Sequence, residues 1–316
     1  MEKRELGESG IWVTPFCFGG NVFSWTADEN TSFTLLDALV DSGLDFVDTA
    51  DVYSAWAPGN KGGESETIIG NWLKRSGKRD KLIIATKGGK SMGPDKKGLS
   101  KAYITRAVED SLKRLQTDYI DLYQSHEDDK DTPLDETMQV FTDLVKQGKV
   151  RAVGASNYTA DRFKEALKIS KDNGLESYQT LQPEYNLYDR EDFEKNLQPV
   201  CLENNVGVIS YYSLASGFLS GKYRSANDLS KSPRGGGVKK YMNDRGSRIL
   251  DALDKVSKEY NTTPSGVAIA WVIAQPGIVA PIVSATSVKQ LHETTKALEL
   301  NLSKEAVKLL IEASRY

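Results

Sequence analysis

Short apolar or β-branched runs alternate along the chain with longer segments of helical periodicity. Most helical segments end at a Gly or Asn, which is the usual way for a helix to stop before a strand. The pattern therefore predicts eight β-strands joined by helices. The predicted strands cover residues 15–20, 44–49, 82–87, 120–126, 150–157, 178–182, 206–211 and 278–285.

The helical segments carry their apolar residues on one stripe, as core-facing helices do. Residues 28–42 place Phe33, Leu36, Leu39 and Val40 on one face, and the next clear stripe holds Leu134, Met138, Phe141 and Leu144. Capping residues support these elements. We expect helix starts at Ser100, Thr132 and Thr159 and helix ends at Gly43, Gly77, Gly148 and Gly174.

Strands that alternate with helices predict a parallel sheet, and eight such units favour a closed (β/α)8 barrel over an open doubly wound sheet. The first βα turn lacks the G-x-G-x-x-G motif of a Rossmann fold. No linker or shift in composition divides the 316 residues. We therefore expect one TIM-barrel domain over residues 1–316.

Two additions to the barrel are also predicted. Residues 3–6 and 11–15 flank a turn at 7–10, which indicates a β-hairpin that plugs the bottom of the barrel. The seventh and eighth strands are separated by residues 212–277, too many for one βα connection. We expect a long basic, Gly-rich loop there, placed to fold down on a ligand, and an extra helix over 244–260.

Composition narrows the class of function. Hydrophobic residues make up 39% and charged residues 27%, and 41 basic less 44 acidic residues leave a net charge of −3, so nothing favours nucleic acid. No apolar stretch indicates a secretion signal or a membrane span, so we expect a cytoplasmic protein. Cys17 and Cys201 are expected to be buried, reduced thiols, and two histidines are too few for a His-rich zinc site.

Polar side chains stand at the carboxyl ends of three successive predicted strands. The second strand leads into Asp48 and Tyr53, the third ends at Lys87 and the fourth at His126. Each alone has an ordinary structural explanation, such as a turn cap or a solvated charge. Because barrel enzymes carry their active sites at this end, the four together predict a catalytic site.

The chemistry of the four residues favours proton transfer over nucleophilic attack. We expect Lys87 to lower the pKa of the Tyr53 phenol, and Asp48 to pair with Lys87 and orient it. Neutral His126 would donate a hydrogen bond to a carbonyl oxygen. A proton donor with an oxyanion site is half of a carbonyl reduction, and the hydride must then come from a cofactor.

The contexts D-T-A-x-x-Y, T-K and I-D-L-Y-x-x-H of these residues resemble the catalytic tetrad of the aldo-keto reductases. The resemblance extends from RELGESGIWV through GKVRAVGASNY, QPEYNLYDR and GFLSGKY to SVKQLHE. It is closest to bacterial aldo-keto reductases and the related potassium-channel β subunits. It implies that the protein is an oxidoreductase that reduces small aldehydes or ketones, sugar-derived ones included, with NAD(P)H.

The resemblance also implies a set of cofactor-binding residues. Ser156, Asn157 and Gln182 would hold the nicotinamide carboxamide, and Tyr211 would stack on the ring. The remaining contacts are implied near the first turn, in the loop crossing the pyrophosphate and at the adenosine half: Gly20, Asn21, Asp48, Ser213, Leu214, Ser216, Gly217, Leu219, Ser220, Lys222, Ser284, Thr286, Gln290, Glu293 and Thr294. Ser284, Thr286 and Thr294 depart from the usual Gly, Arg and Asn. Arg234 in the long loop is a candidate for the missing positive charge, and NADPH is favoured over NADH.

The substrate is expected at an aromatic and acidic rim. Its predicted contacts are Phe23, Trp25, Tyr53, Trp56, His126 and Glu127, although the run 127–129 also suits a solvated loop. Two other functions stay open. One is a regulatory subunit that binds cofactor with little turnover, and the other a barrel hydrolase or isomerase that uses Asp48 with Glu66. A homo-oligomer is compatible with the helix faces.

Overall fold

The computed structural model describes residues 2–232 and 235–316. Ten strands are assigned within these residues. Two form an antiparallel hairpin, β1 (Arg4–Glu5) and β2 (Trp12–Val13). The other eight close into a parallel barrel in chain order: β3 (Cys17–Gly19), β4 (Phe46–Asp48), β5 (Ile83–Gly88), β6 (Ile120–Ser125), β7 (Val150–Ser156), β8 (Thr180–Gln182), β9 (Gly207–Ser210) and β10 (Ile278–Val283). The predicted (β/α)8 barrel is confirmed.

Helices surround the barrel. They are α1 (Glu29–Asp41), α2 (Glu64–Ser76), α3 (Lys101–Leu115), α4 (Leu134–Lys146), α5 (Ala160–Asn173), α6 (Gln198–Glu203), α7 (Gly235–Val238), α8 (Asp244–Glu259), α9 (Pro264–Ile273), α10 (Val288–Thr295) and α11 (Lys304–Ala313). The extra helix expected between the last two strands is α8. No described helix is long and apolar enough to cross a membrane.

Two of the three predicted helix caps, Ser100 and Thr159, are confirmed. The side chains of Asp28, Ser100 and Thr159 accept a backbone hydrogen bond from the first turns of α1, α3 and α5. The predicted cap at Thr132 is wrong, because α4 begins after Pro133. The Thr132 hydroxyl instead donates to Asp129 Oδ2 at 2.6 Å.

Alternation along the strands divides the core into two parts. Residues facing outward pack with the helices in a large outer core, whereas Phe46, Ala85, Leu122 and Ala152 belong to a separate cluster inside the barrel. Leu6, Ile11 and Val13 of the hairpin join this inner cluster, so the hairpin closes the amino-terminal end as predicted. Because side chains alternate with a period of two, the residues two positions later along β4, β5 and β6 also point inward, toward the other end.

Candidate functional site

The four predicted catalytic residues meet at the carboxyl-terminal end of the barrel. Asp48 is the last residue of β4, Lys87 lies near the end of β5, and His126 directly follows β6. Tyr53 comes from the turns that follow β4, and its ring centroid lies 6.0 Å from that of His126. The fold therefore brings together residues spread over almost eighty positions of the chain.

Asp48 and Lys87 form a buried ion pair. Lys87 is 1% exposed and Asp48 is fully buried. The Lys87 Nζ donates to both carboxylate oxygens at 2.7 Å and to the carbonyl of Thr49 at 2.8 Å. Each charge is therefore paired with an opposite charge, and a buried charge is stable only when it is paired in this way.

Tyr53 donates from its hydroxyl to Asp48 Oδ2 at 3.2 Å. Burial, followed by the charge of Asp48 and this hydrogen bond, raises the pKa of Tyr53 well above its ordinary value. The prediction that Lys87 lowers this pKa is therefore wrong for this arrangement. The ammonium group lies 4.7 Å from the centre of the Tyr53 ring and is neutralised by Asp48, so the phenol stays protonated.

His126 is buried and neutral, as predicted. Burial lowers its pKa well below the ordinary value, with further contributions from the positive charges of Lys87 and Lys90. The backbone N–H of His126 donates to the carbonyl of Gly88 at 2.9 Å, which fixes the residue at the edge of the barrel. An uncharged imidazole beside a protonated phenol gives the mouth two neutral hydrogen-bond donors.

Two glutamine side chains, from β6 and β8, reach the same carboxylate through the interior of the barrel. Gln182 Nε2 lies 2.9 Å from Asp48 Oδ1, and Gln124 Nε2 lies 3.4 Å from it. Gln182 was predicted in the site, whereas Gln124 was not. Its signal in the sequence was a polar residue two positions after Leu122 and two positions before His126, and so on the same face of the strand.

Ser156, Asn157 and Tyr211 form a hydrogen-bonded set beside this cluster. Asn157 Nδ2 donates to Ser156 Oγ at 3.1 Å and to the carbonyl of His126 at 2.9 Å. The Tyr211 hydroxyl donates to Asn157 Oδ1 at 2.8 Å. The half-buried Tyr211 ring is therefore held at the mouth by its hydroxyl end.

The predicted pyrophosphate loop leaves β9 in a strained backbone conformation. Ser216 and Gly217 have φ values of 57° and 94°, and a Cβ at Gly217 would come no closer than 3.6 Å to any neighbour, the nearest being Lys222 Cε. Lys222 is exposed, whereas Leu219 is fully buried. The remaining predicted residues of the loop are Ser213, which is buried, and Leu214 and Ser220, which are partly exposed.

The residues predicted for the adenosine half gather after β10. The side chain of Ser287 caps α10 by accepting from Gln290 N, and Gln290 Oε1 accepts from both the backbone N–H and the hydroxyl of Thr286 at 2.9 Å. Thr294 bonds to carbonyls of its own helix, and Glu293 is partly exposed. Across the barrel closure, Ser284 Oγ donates to Asn21 Oδ1 at 2.6 Å, next to Gly19 and Gly20. Arg234 lies outside the described residues.

The predicted substrate rim is only partly formed by the residues named for it. Trp56 is 49% exposed and packs edge-on against both Trp25 and Tyr53, with ring centroids 5.7 Å and 6.0 Å apart. The prediction for Phe23 is wrong, because its ring is fully buried against Phe18 in the outer core. Glu127 is half-buried at the mouth.

The two acidic residues after Glu127 have structural partners. Asp128 forms an ion pair with Arg162, its Oδ2 lying 3.0 Å from Nε. Asp129 accepts from the backbone N–H of Leu99 at 2.7 Å. The structure therefore gives Asp128 and Asp129 the role of stabilising their loop.

Glu66 belongs to a different place in the fold. It is fully buried, pairs with Arg114 at 2.7 Å and accepts from the hydroxyl of Thr86 at 2.6 Å. Thr86 alternates with the inward-pointing Lys87, so Glu66 lies outside the barrel wall. The alternative in which Asp48 works with Glu66 is therefore wrong.

Comparison with known proteins agrees with this geometry. The model of the aldo/keto reductase family matches residues 15–315. The chain is 35% identical to the uncharacterized oxidoreductase YrpG of Bacillus subtilis, over 98% of this chain and 95% of that protein. It is 32% identical to the aldo-keto reductase YhdN of the same organism, over 96% and 91%. A probable voltage-gated potassium channel subunit beta of Oryza sativa subsp. japonica is 31% identical, over 95% and 92%. With the matched barrel and the Asp, Tyr, Lys and His cluster at its mouth, the chain belongs to the aldo/keto reductase family and is an NAD(P)H-dependent oxidoreductase.

Proposed function

We propose that the protein reduces a small aldehyde or ketone to the alcohol, with NADPH as cofactor and Tyr53 as proton donor. The observation that carries the proposal is the protonated Tyr53 phenol beside neutral His126, both at the mouth of the barrel. Sugar-derived aldehydes are within the proposed substrate class, because the rim combines the exposed indole of Trp56 and the half-buried indole of Trp25 with the half-buried carboxylate of Glu127.

The residues present suit a nicotinamide dinucleotide. Tyr211 offers a half-buried ring whose hydroxyl is hydrogen-bonded. Gln182 Oε1 accepts no hydrogen bond from the described residues, 2–232 and 235–316. Lys222 places an exposed ammonium group beside the open side of Gly217. When bound, the cofactor supplies a hydride to the carbonyl carbon.

This chain's own residues handle the proton. When substrate binds, the Tyr53 hydroxyl would turn its one proton from Asp48 to the carbonyl oxygen. His126 would donate to the same oxygen, and the two donors fix the place where negative charge develops. As the oxygen becomes an alkoxide it becomes a stronger base than the phenolate, so the Tyr53 proton moves to it. A proton must then return to the Tyr53 phenolate before the next reaction cycle.

The preference for NADPH is supported by positive charge near the proposed phosphate positions. Lys222 is exposed in the loop after β9, and Lys289 is exposed in the first turn of α10. The aldo-keto reductase yakc [NADP(+)] of Schizosaccharomyces pombe, whose name carries this cofactor, is 29% identical over 99% of this chain. Arg234 is the further proposed contact.

A titration followed by one substitution tests the proposal. Binding of NADPH and of NADH is measured by the quenching of intrinsic fluorescence, and turnover by the loss of NADPH absorbance with a panel of aldehydes and ketones. We expect saturable quenching that is tighter for NADPH. Tyr53→Phe should keep this binding and lose at least about a hundredfold in turnover, the usual worth of a positioned general acid.

Tyr119→Phe is the matched control. Tyr119 lies just before β6, at the opposite end of the barrel, where its ring contacts Arg79. Turnover retained by Tyr53→Phe would contradict the role of Tyr53. Cofactor binding without turnover on any carbonyl would instead favour the regulatory subunit, and no binding of either dinucleotide would contradict the proposed function as a whole.

A further inference from the structure

Gln124 is a buried polar residue to which the proposed reaction gives no part. It lies in β6 between Leu122 of the inner core and His126, on the inward face of the strand. Its neighbour in register on β7 is Gly154. A Cβ at Gly154 would lie 3.1 Å from Cγ of Gln124, so the glycine leaves the space through which this side chain crosses the barrel.

The amide of Gln124 contacts both Asp48 and Gln182. Gln182 Nε2 lies 2.9 Å from Asp48 Oδ1 and 3.3 Å from Gln124 Oε1. Gln124 Nε2 lies 3.4 Å from the same oxygen of Asp48. The three side chains therefore form a closed triangle below the mouth, and all three are buried.

The triangle fixes which way the Gln182 amide points. The Asp48 carboxylate only accepts hydrogen bonds while it is paired with Lys87, so each glutamine must turn its NH₂ group toward it. The NH₂ group of Gln182 has two protons, and the second is taken by Gln124 Oε1. The other polar atom of this side chain, Gln182 Oε1, then accepts no hydrogen bond within the described part of the chain.

We infer that Gln124 is a positioning residue that holds the Gln182 amide with its oxygen presented to the ligand. An acceptor in that place recognises an N–H donor, so the site selects a dinucleotide whose ring carries a primary amide. This inference rests on the proposed function, since it requires that the mouth binds a nicotinamide dinucleotide. Without Gln124 Oε1 the second proton of the Gln182 NH₂ has no acceptor, and the oxygen loses its fixed direction.

The test compares two dinucleotides in the same protein. NADP⁺ carries the carboxamide, whereas its 3-acetylpyridine analogue carries a methyl ketone, which keeps the carbonyl and lacks the N–H donor. Dissociation constants are measured by fluorescence titration for the unchanged protein, Gln124→Met, Gln182→Met and the double variant. A ratio of two constants from one preparation does not depend on the folded fraction, so partial unfolding of a variant leaves the test valid.

We expect the unchanged protein to prefer NADP⁺ by roughly threefold to tenfold, the worth of one hydrogen bond to a neutral acceptor. Gln124→Met and Gln182→Met should each bring the ratio close to one, and the double variant should lower it no further, because Gln124 acts through Gln182. Gln179→Met is the control, since Gln179 accepts from Glu8 N beside the hairpin, at the other end of the barrel.

Other results overturn the inference. If Gln124→Met keeps the ratio of the unchanged protein, or if its effect adds to that of Gln182→Met, Gln124 does not position the amide. The same holds if the unchanged protein fails to distinguish the two dinucleotides. A protein that binds neither of them contradicts the proposed function itself, which the NADPH titration reveals separately.

Discussion

Substitution of Lys87 by methionine tests how the buried ion pair at the mouth is stabilised. Lys87→Met keeps the length of the side chain and removes three donor contacts, two to Asp48 at 2.7 Å and one to the carbonyl of Thr49 at 2.8 Å. The Asp48 carboxylate, fully buried, would then keep only the hydroxyl of Tyr53 and the amides of Gln124 and Gln182.

The expected loss is large because a buried charge loses its partner. Removing one member of a buried pair typically costs about 3–5 kcal/mol of unfolding free energy. We expect the lower end, about 3 kcal/mol, because three uncharged donors still face the Asp48 carboxylate within 3.4 Å. Replacing both partners, in Asp48→Asn with Lys87→Met, removes the stranded charge and should restore part of the loss.

Equilibrium unfolding in urea at pH 7.5 measures these differences, provided that the transition is cooperative. The control is Lys101→Met, which breaks an exposed pair with Asp143 at 3.1 Å. Exposed pairs contribute only about 0–1 kcal/mol, so this variant should stay close to the parent protein. A loss for Lys87→Met no larger than that of the control, or a double variant less stable than Lys87→Met alone, would refute the reasoning.

Three further substitutions have expected outcomes in unfolding experiments. Because burial lowers the pKa of His126, only the unfolded chain takes up a proton on this side chain near pH 6. The free energy of unfolding should therefore fall by up to about 1.4 kcal/mol per pH unit as the pH drops below about 6.5, and His126→Asn should remove this component. Burial raises the pKa of Asp51 to about 8, so here the native state holds the extra proton and the pH dependence has the opposite sign. The free energy of unfolding should fall as the pH rises from about 4 to about 8, and Asp51→Asn should flatten that slope in a series of thermal melts. Gly154→Ala would place a methyl group 2.2 Å from Thr180 Oγ1 and 3.1 Å from Gln124 Cγ, and should cost about 1–3 kcal/mol in urea, whereas an equal stability would show that the barrel wall yields at this point.

The barrel could be predicted from the sequence because its information is local. Each strand is an apolar run and each helix has its own stripe and caps, as Asp28 and Thr159 show at the starts of α1 and α5. A period of two along β4, β5 and β6 also determines that Asp48, Lys87 and Gln124 share the inward face with the inner core. The residue types at the strand ends then indicate proton transfer at a carbonyl.

Tertiary structure decided what depends on distance and burial. Phe23 and Trp25 both follow β3, yet only the packing around Phe18 shows that Phe23 belongs to the core. The pKa of Tyr53 rises because its hydroxyl is buried and lies beside the Asp48 carboxylate, and neither burial nor this contact can be derived from the spacing of the residues along the chain. Gln124 and Gln182 lie 58 residues apart, and they come into contact because β6 and β8 flank β7 in the barrel and both side chains enter its interior. Sequence alternation sets the direction of a side chain, whereas the closure of the sheet sets which partners it reaches, and these partners determine the charge and proton state of the site.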